Sequence, residues 1–149
     1  MLFRSIDQTA EELRLDPADD AALEMMVNEH STLAKVLLDQ HEAEKAREHA
    51  AQALAFYARR SDTARASTYN LLEAAQAHHL AGHAWLQTAA RDRVSPAVAS
   101  SDRAKSCAEF ITSADLARQV KDVPQAPGED EYDLSETQRE AAACRGRTG

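Results

Sequence analysis

Apolar and polar residues repeat along this chain with a helical period almost throughout. Counting 100° per residue from Leu23, the positions Val27, His30, Ala34, Leu37 and His41 fall within about 40° of one line. Beyond them the stripe jumps, because Ala46, Ala50, Ala53 and Tyr57 align roughly 120–180° away. The jump predicts either one long helix that buries two faces in turn or two helices meeting near Asp39-Gln40-His41. The second is preferred, with Asp39 and Glu42 capping the new helix. Further on, Leu71, Ala75, His78, Gly82, Trp85 and Ala89 recur by fours and threes, flanked by Leu72, His79 and Leu86. This seam predicts a helix from Ser61 or Asp62 to about Arg91. Val98, Cys107, Phe110, Ile111, Ala114 and Ala117 then form a broad apolar face that ends near Val120.

Capping residues punctuate these segments. Ser5 with Gln8 opens a short amphipathic helix to Leu15, and Asp16-Pro17 reads as an N-cap followed by the first helical residue. Ser95-Pro96 repeats that arrangement. "DVPQAPGEDEYDLSE" breaks the period with two prolines, a glycine and a run of acids, and reads as a solvated linker. Ser135 with Gln138 caps a last short helix that Gly146 would stop. The expectation is an all-α fold: an antiparallel bundle of three to four helices with a short N-terminal helix and an acidic C-terminal tail. The bundle domain spans 1–121, and an acidic linker and short tail helix span 122–149.

Composition supports this reading. Only 5% of the 149 residues are aromatic, and alanine dominates an apolar share of 44%. Small residues let helices approach closely but bury little area each, so stability should be modest and partners helpful. The net charge of −8 is uneven: residues 1–30 hold eight acids and two bases, 31–121 ten and twelve, 122–149 seven and three. Acidic ends around a balanced body argue against a nucleic-acid binder, which needs a basic face. Arg59, Arg60 and Arg65, with Arg91 and Arg93, are read as solvated charge at helix ends. No run approaches the ~18 apolar residues of a membrane span, and "MLFRSIDQTAEELRL" lacks the apolar core of a signal peptide. Cys107 and Cys144 match no metal or redox spacing, and Cys107, on an apolar face, reads as inert packing. A reducing interior is the default compartment, so the expected location is cytoplasmic or virion-associated.

Three of the six histidines lie in "AQAHHLAGHAW". His79 and His83 fall about 40° and 80° off the seam centred on Ala75, and His78 about 60° off its other flank. The first reading is packing along a half-buried seam. The second uses the i, i+4 spacing of His79 and His83, which lets two imidazoles reach one metal. Further ligands would come from Glu24, Glu29, His30 or His41 if the register brought them near. His30 and His41 also share the first helix's apolar line. No metal or cofactor is assigned. No glycine-rich loop, nucleophile elbow or CxxC motif occurs, so no catalytic residue is assigned and the chain is read as non-enzymatic. Leu71, Ala75, Gly82, Trp85, Phe110 and Ile111 are the interface candidates, and Glu129, Asp130, Glu131 and Asp133 form the acidic arm.

Two family resemblances bear on function. Leu33, Ala34, Leu37, Ala46, Ala50, Ala53 and Leu54 in "STLAKVLLDQHEAEKAREHAAQAL" are spaced similarly to a tetratricopeptide repeat, without its tryptophan and terminal proline. Over about residues 30–118, "HSTLAKVLLDQHEAEKAREHAAQA", "RSDTARASTYNLLEAAQAHHLAGHAW" and "AVASSDRAKSCAEFITSADLA" resemble Ala/His-rich helical phage-type proteins of mostly unknown function. That second resemblance implies a context and transfers no functional residue. The leading expectation is a structural or interaction protein acting through protein–protein contacts, self-associating or phage virion-associated. The alternatives are a small acidic inhibitor or nucleic-acid mimic, and a metal- or ligand-binding helical bundle.

Overall fold

A computed structural model describes residues 6–120 and 134–147 of the chain. Among them there is no strand, and the helices are α1 (Ile6–Leu15), α2 (Asp20–Asp39), α3 (Ala43–Arg59), α4 (Asp62–Arg65), α5 (Thr68–Ala89), α6 (Pro96–Ala117) and α7 (Leu134–Arg147). The all-α expectation holds, but with seven helices rather than three or four. None is long and apolar enough to cross a membrane.

Local side-chain chemistry accounts for the extra breaks. Asp19, not Asp16, caps α2, accepting from the backbone N–H groups of Ala21 and Ala22. Asp16 instead accepts from Ala18 N–H in the preceding turn. The turn anticipated near residue 40 is real, yet no side chain caps α3 at Glu42. His41 takes φ 60 there, so it sits exposed in the turn instead of on the buried line of α2. Ser61 caps α4 through Ala64 N–H, and Ser67 caps α5 through Asn70 N–H. Two caps six residues apart therefore divide what the seam alone read as one helix. Ser95 caps α6 as expected, with Pro96 in the first turn. Gly146 does not stop α7, which continues to Arg147.

The centre of the molecule is α5, which packs against α2, α3 and α6. A helix covered on several sides must be small almost all round, and α5 buries Ala74, Ala75, Ala77, Ala81, Gly82 and Ala84. Leu38, Ala46, Ala50, Leu80 and Ala84 join α2, α3 and α5, while Leu13, Ala22, Leu23 and Met26 seat α1 on α2. On the α6 side, Ser106 Oγ donates to Gly82 O at 2.9 Å and Ser113 Oγ to Ala75 O at 2.6 Å. These two pairs run α5 and α6 in opposite directions and satisfy hydroxyls buried at the close contact.

Four of the six interface candidates are spent inside the chain: Leu71, Ala75, Gly82 and Phe110 are buried. Ile111 is half-buried. Trp85, also half-buried, lies between two cations, with Arg47 Cζ 3.9 Å and Lys105 Nζ 4.3 Å from its ring centre. The acidic arm, Glu129, Asp130, Glu131 and Asp133, lies outside the described residues, as does Ser5.

Two further expectations are corrected. Arg60 is not solvated charge: its side chain is 3% exposed, with Nη2 2.8 Å from Glu24 Oε2 and Nη1 3.6 Å from Glu73 Oε2. Asn70 Oδ1 accepts a further hydrogen bond from it. The tight connection between α3 and α4 turns this guanidinium inward, where only paired charge is tolerable. The cysteines are not inert thiols either, because Cys107 of α6 and Cys144 of α7 form a disulfide with Cα atoms 5.4 Å apart. Sequence spacing could not show this, since α7 must first return to α6. The bond also removes the reason for placing the chain in a reducing interior. Closing a 37-residue separation is worth about 3–4 kcal/mol in the loop-entropy account.

Glu73 gives the fold a pH dependence. Burial, together with the charge of Glu24, pushes its carboxyl up to about 7, against the pull of Arg60. Between its ordinary value of 4.5 and about 7 the unfolded chain loses this proton and the folded chain keeps it, so this group weakens folding as pH rises. Glu73→Gln removes that loss. Urea unfolding should show the variant's midpoint gaining on the parent's from about pH 5 to about pH 8, and a gap constant with pH would contradict the assignment.

Candidate metal centre

The helical periodicity of α5 that buries its alanines leaves His79 and His83 on one flank, one turn apart. On α7, Glu136 and Glu140 repeat the same spacing, next to Thr137 and Ala141, whose side chains are fully buried. Packing α7 on α6 brings the two pairs face to face. His83 Nε2 lies 3.2 Å from Glu140 Oε1 and 3.6 Å from Glu136 Oε1, and His79 Nδ1 lies 3.4 Å from Glu140 Oε2. One ligand atom from each of the four residues falls within 4.8 Å of all the others. Among the described residues this is the one such cluster of three or more.

Neighbouring groups hold the imidazoles in place. Their rings meet edge to face at 4.5 Å, and the Phe110 ring lies beneath both, 5.7 Å from His79 and 5.1 Å from His83. Thr137 Oγ1 is 2.8 Å from His79 Nδ1, the nitrogen that faces Glu140, so an ion bound there would take the place of this contact. Phe110 can lie so near α5 because position 82 has no Cβ. One built there would fall 2.5 Å from Phe110 Cε1 and 2.7 Å from Cδ1. Gly82 is thus a packing requirement beneath the site.

Several properties of the cluster suit a divalent cation. Tetrahedral zinc, with bonds near 2.0–2.2 Å, places neighbouring ligand atoms about 3.3–3.6 Å apart. Three of the His–Glu pairs here lie at 3.2–3.6 Å, and one ligand atom from each residue falls within 4.8 Å of the rest. Two carboxylates and two neutral imidazoles carry the charge that one divalent ion cancels. Glu140 Oε2 is buried and has no hydrogen-bond partner. A carboxylate oxygen left so is costly, and a cation would satisfy it. Burial alone would lower the His83 pKa, but the hydrogen bond and charge of Glu140, with the charge of Glu136, outweigh it and hold the imidazole above its ordinary range. Four protein ligands fill a tetrahedron, so the donor set suits a structural ion better than one that activates water.

The helix spacing of His79 and His83 pointed to this site, and both belong to it. The proposed helpers do not: Glu24 is paired with Arg60, His41 is exposed in a turn, and His30 Nδ1 lies 2.8 Å from His49 Nδ1 between α2 and α3. The missing ligands come from the tail helix, whose Glu-x-x-x-Glu was read there only as charge. His78 turns to the other side, with Nδ1 2.6 Å from Glu109 Oε2. No family model matches the chain, and neither a curated protein nor a solved structure matches it significantly.

Gly82→Ala tests the floor of the site. The added methyl must displace a ring that is 2% exposed, at a typical overpacking cost of 1–3 kcal/mol that outweighs the better helix propensity of alanine, about 1 kcal/mol. Thermal or urea unfolding should report a net loss of stability, and a stabilised variant would contradict the packing described.

Proposed function

We propose that this protein is a metal-binding helical bundle in which a divalent cation of the zinc class joins α5 to the tail helix α7. The observation that carries the reading is the meeting of two i, i+4 ligand pairs, His79/His83 and Glu136/Glu140, around the buried and unsatisfied Glu140 Oε2. Mixed nitrogen and oxygen donors favour zinc, cobalt(II) and their neighbours over calcium and magnesium, which prefer oxygen alone. The ion's role in this reading is structural. It neutralises the two glutamates and clamps α7 to α5.

The reading as a contact-making or virion-associated protein is a second proposal that rests on composition and resemblance. The geometry favours the metal reading, since the candidate contact residues make their contacts within the chain.

Calorimetric titration of the metal-stripped, disulfide-bonded chain with zinc should show one equivalent bound. His79→Ala/His83→Ala and Glu136→Gln/Glu140→Gln should each lose that binding while keeping the helical circular dichroism of α1–α6. Cobalt(II) should give the intense visible bands of four-coordination, and excess magnesium should not compete. If the parent protein takes up no stoichiometric zinc, the proposal fails.

A further inference from the structure

We infer that the Cys107–Cys144 disulfide gates the metal centre, so that its reduction by a dithiol releases the bound cation. This inference rests on the metal-binding reading and names its regulation. Both carboxylate ligands stand on α7, and α7 is joined to α6 covalently through Cys144, one turn beyond Glu140. Apart from the disulfide, the ties of this helix to α5 are polar: Thr137 to His79, and the two glutamates to the imidazoles that they would share with the cation. From Ser135 onward its buried side chains are Thr137, Ala141 and Cys144, none of them large, and its outer positions Gln138, Arg139, Ala142 and Ala143 face solvent. Arg145 Nη2 pairs with Asp115 Oδ1 at 2.7 Å, but at an exposed position where such a pair adds little. Small side chains such as these offset little of the entropy of ordering a helix. The disulfide removes most of that entropy cost beforehand, and the cation then binds a site already assembled.

The two cysteines differ in the way a gate requires. Cys144 is 6% exposed, whereas Cys107 is half-buried, so the step is drawn with the incoming thiolate at the more open residue, Cys107. Attack forms a mixed disulfide on Cys107, and Cys144 leaves as a thiolate and takes up a proton. The second thiol of the dithiol then displaces Cys107, which is protonated in turn. The S–S bond has accepted two electrons and two protons, and the dithiol is oxidised to its own disulfide. Free of the crosslink, α7 spends only a fraction of its time docked, and metal affinity falls to that fraction of its crosslinked value. Linkage makes the effect reciprocal: bound metal must favour the disulfide over the dithiol form by the same factor.

Zinc titration of the oxidised full-length chain, of the same chain reduced with a phosphine under anaerobic conditions, and of Cys107→Ser/Cys144→Ser tests the gate. The oxidised chain should bind one equivalent, and the other two should bind at least about tenfold more weakly. Circular dichroism should retain the helices of α1–α6 in all three. A second measurement needs no variant: the parent chain is equilibrated in a glutathione redox buffer with and without zinc, and its thiols are counted by alkylation and mass spectrometry. Zinc should raise the disulfide-to-dithiol ratio by the factor seen in the titrations. Equal zinc affinity in the oxidised and reduced forms would overturn the gate and leave the metal reading standing. Tighter binding by the reduced parent chain than by the oxidised one would also overturn it, because the thiolates would then be ligands themselves. No binding by the oxidised chain would remove the metal reading and the gate together.

Discussion

The close approach of α5 and α6 at Gly82 and Phe110 is the contact on which the candidate site depends. Phe110 occupies space that a Cβ at position 82 would need, and the Ser106 hydroxyl donates to the Gly82 carbonyl beside it. This brings the two backbones together and leaves the phenyl ring as a floor beneath His79 and His83. A larger residue at 82 would lift the ring and move both imidazoles. One small residue therefore links packing to chemistry.

The same constraint explains the composition. Because α5 is covered by α2, α3 and α6, its surface must be made mainly of alanine, and such surfaces bury little area per residue. The molecule adds more specific ties. Arg60 is held between Glu24, Asn70 and Glu73, Trp85 lies between Arg47 and Lys105, and a disulfide joins α6 to α7. Buried ion pairs contribute less to net stability than their geometry suggests, since removing each charge from water costs several kcal/mol. The raised carboxyl of Glu73 shows that cost inside this network.

The tail helix shows how weak docking becomes useful. A helix with large apolar residues on its buried face would stay in place regardless of ion or redox state. From Ser135 onward α7 buries Thr137, Ala141 and Cys144, all small, so in the proposed reading it leans on the bonds made at the glutamate pair and the cysteine. These lie on successive turns of one face, so the crosslink positions the ligands and the ligands reinforce the crosslink. Such dependence is what allows one event to be coupled to the other.

Periodicity by itself determined the all-helical class, the seam of α5, the turn after α2 and the Ser95-Pro96 start of α6, because these follow from side-chain spacing and capping within a few residues. It also marked His79 and His83 as a pair able to share a ligand, since i, i+4 geometry is local to one helix. Tertiary structure alone decided what faced that pair. Neither Glu136 and Glu140 nor the partner of Cys107 could be read from spacing, because each depends on where a helix more than thirty residues away returns to the body. Arg60 follows the same rule: at a helix end a charge is normally solvated, and only the arrival of Glu24 and Glu73 from other helices turns it into a buried tie. Local chemistry sets which residues can act as ligands, crosslinks or buried charges, and long-range packing decides which of them meet.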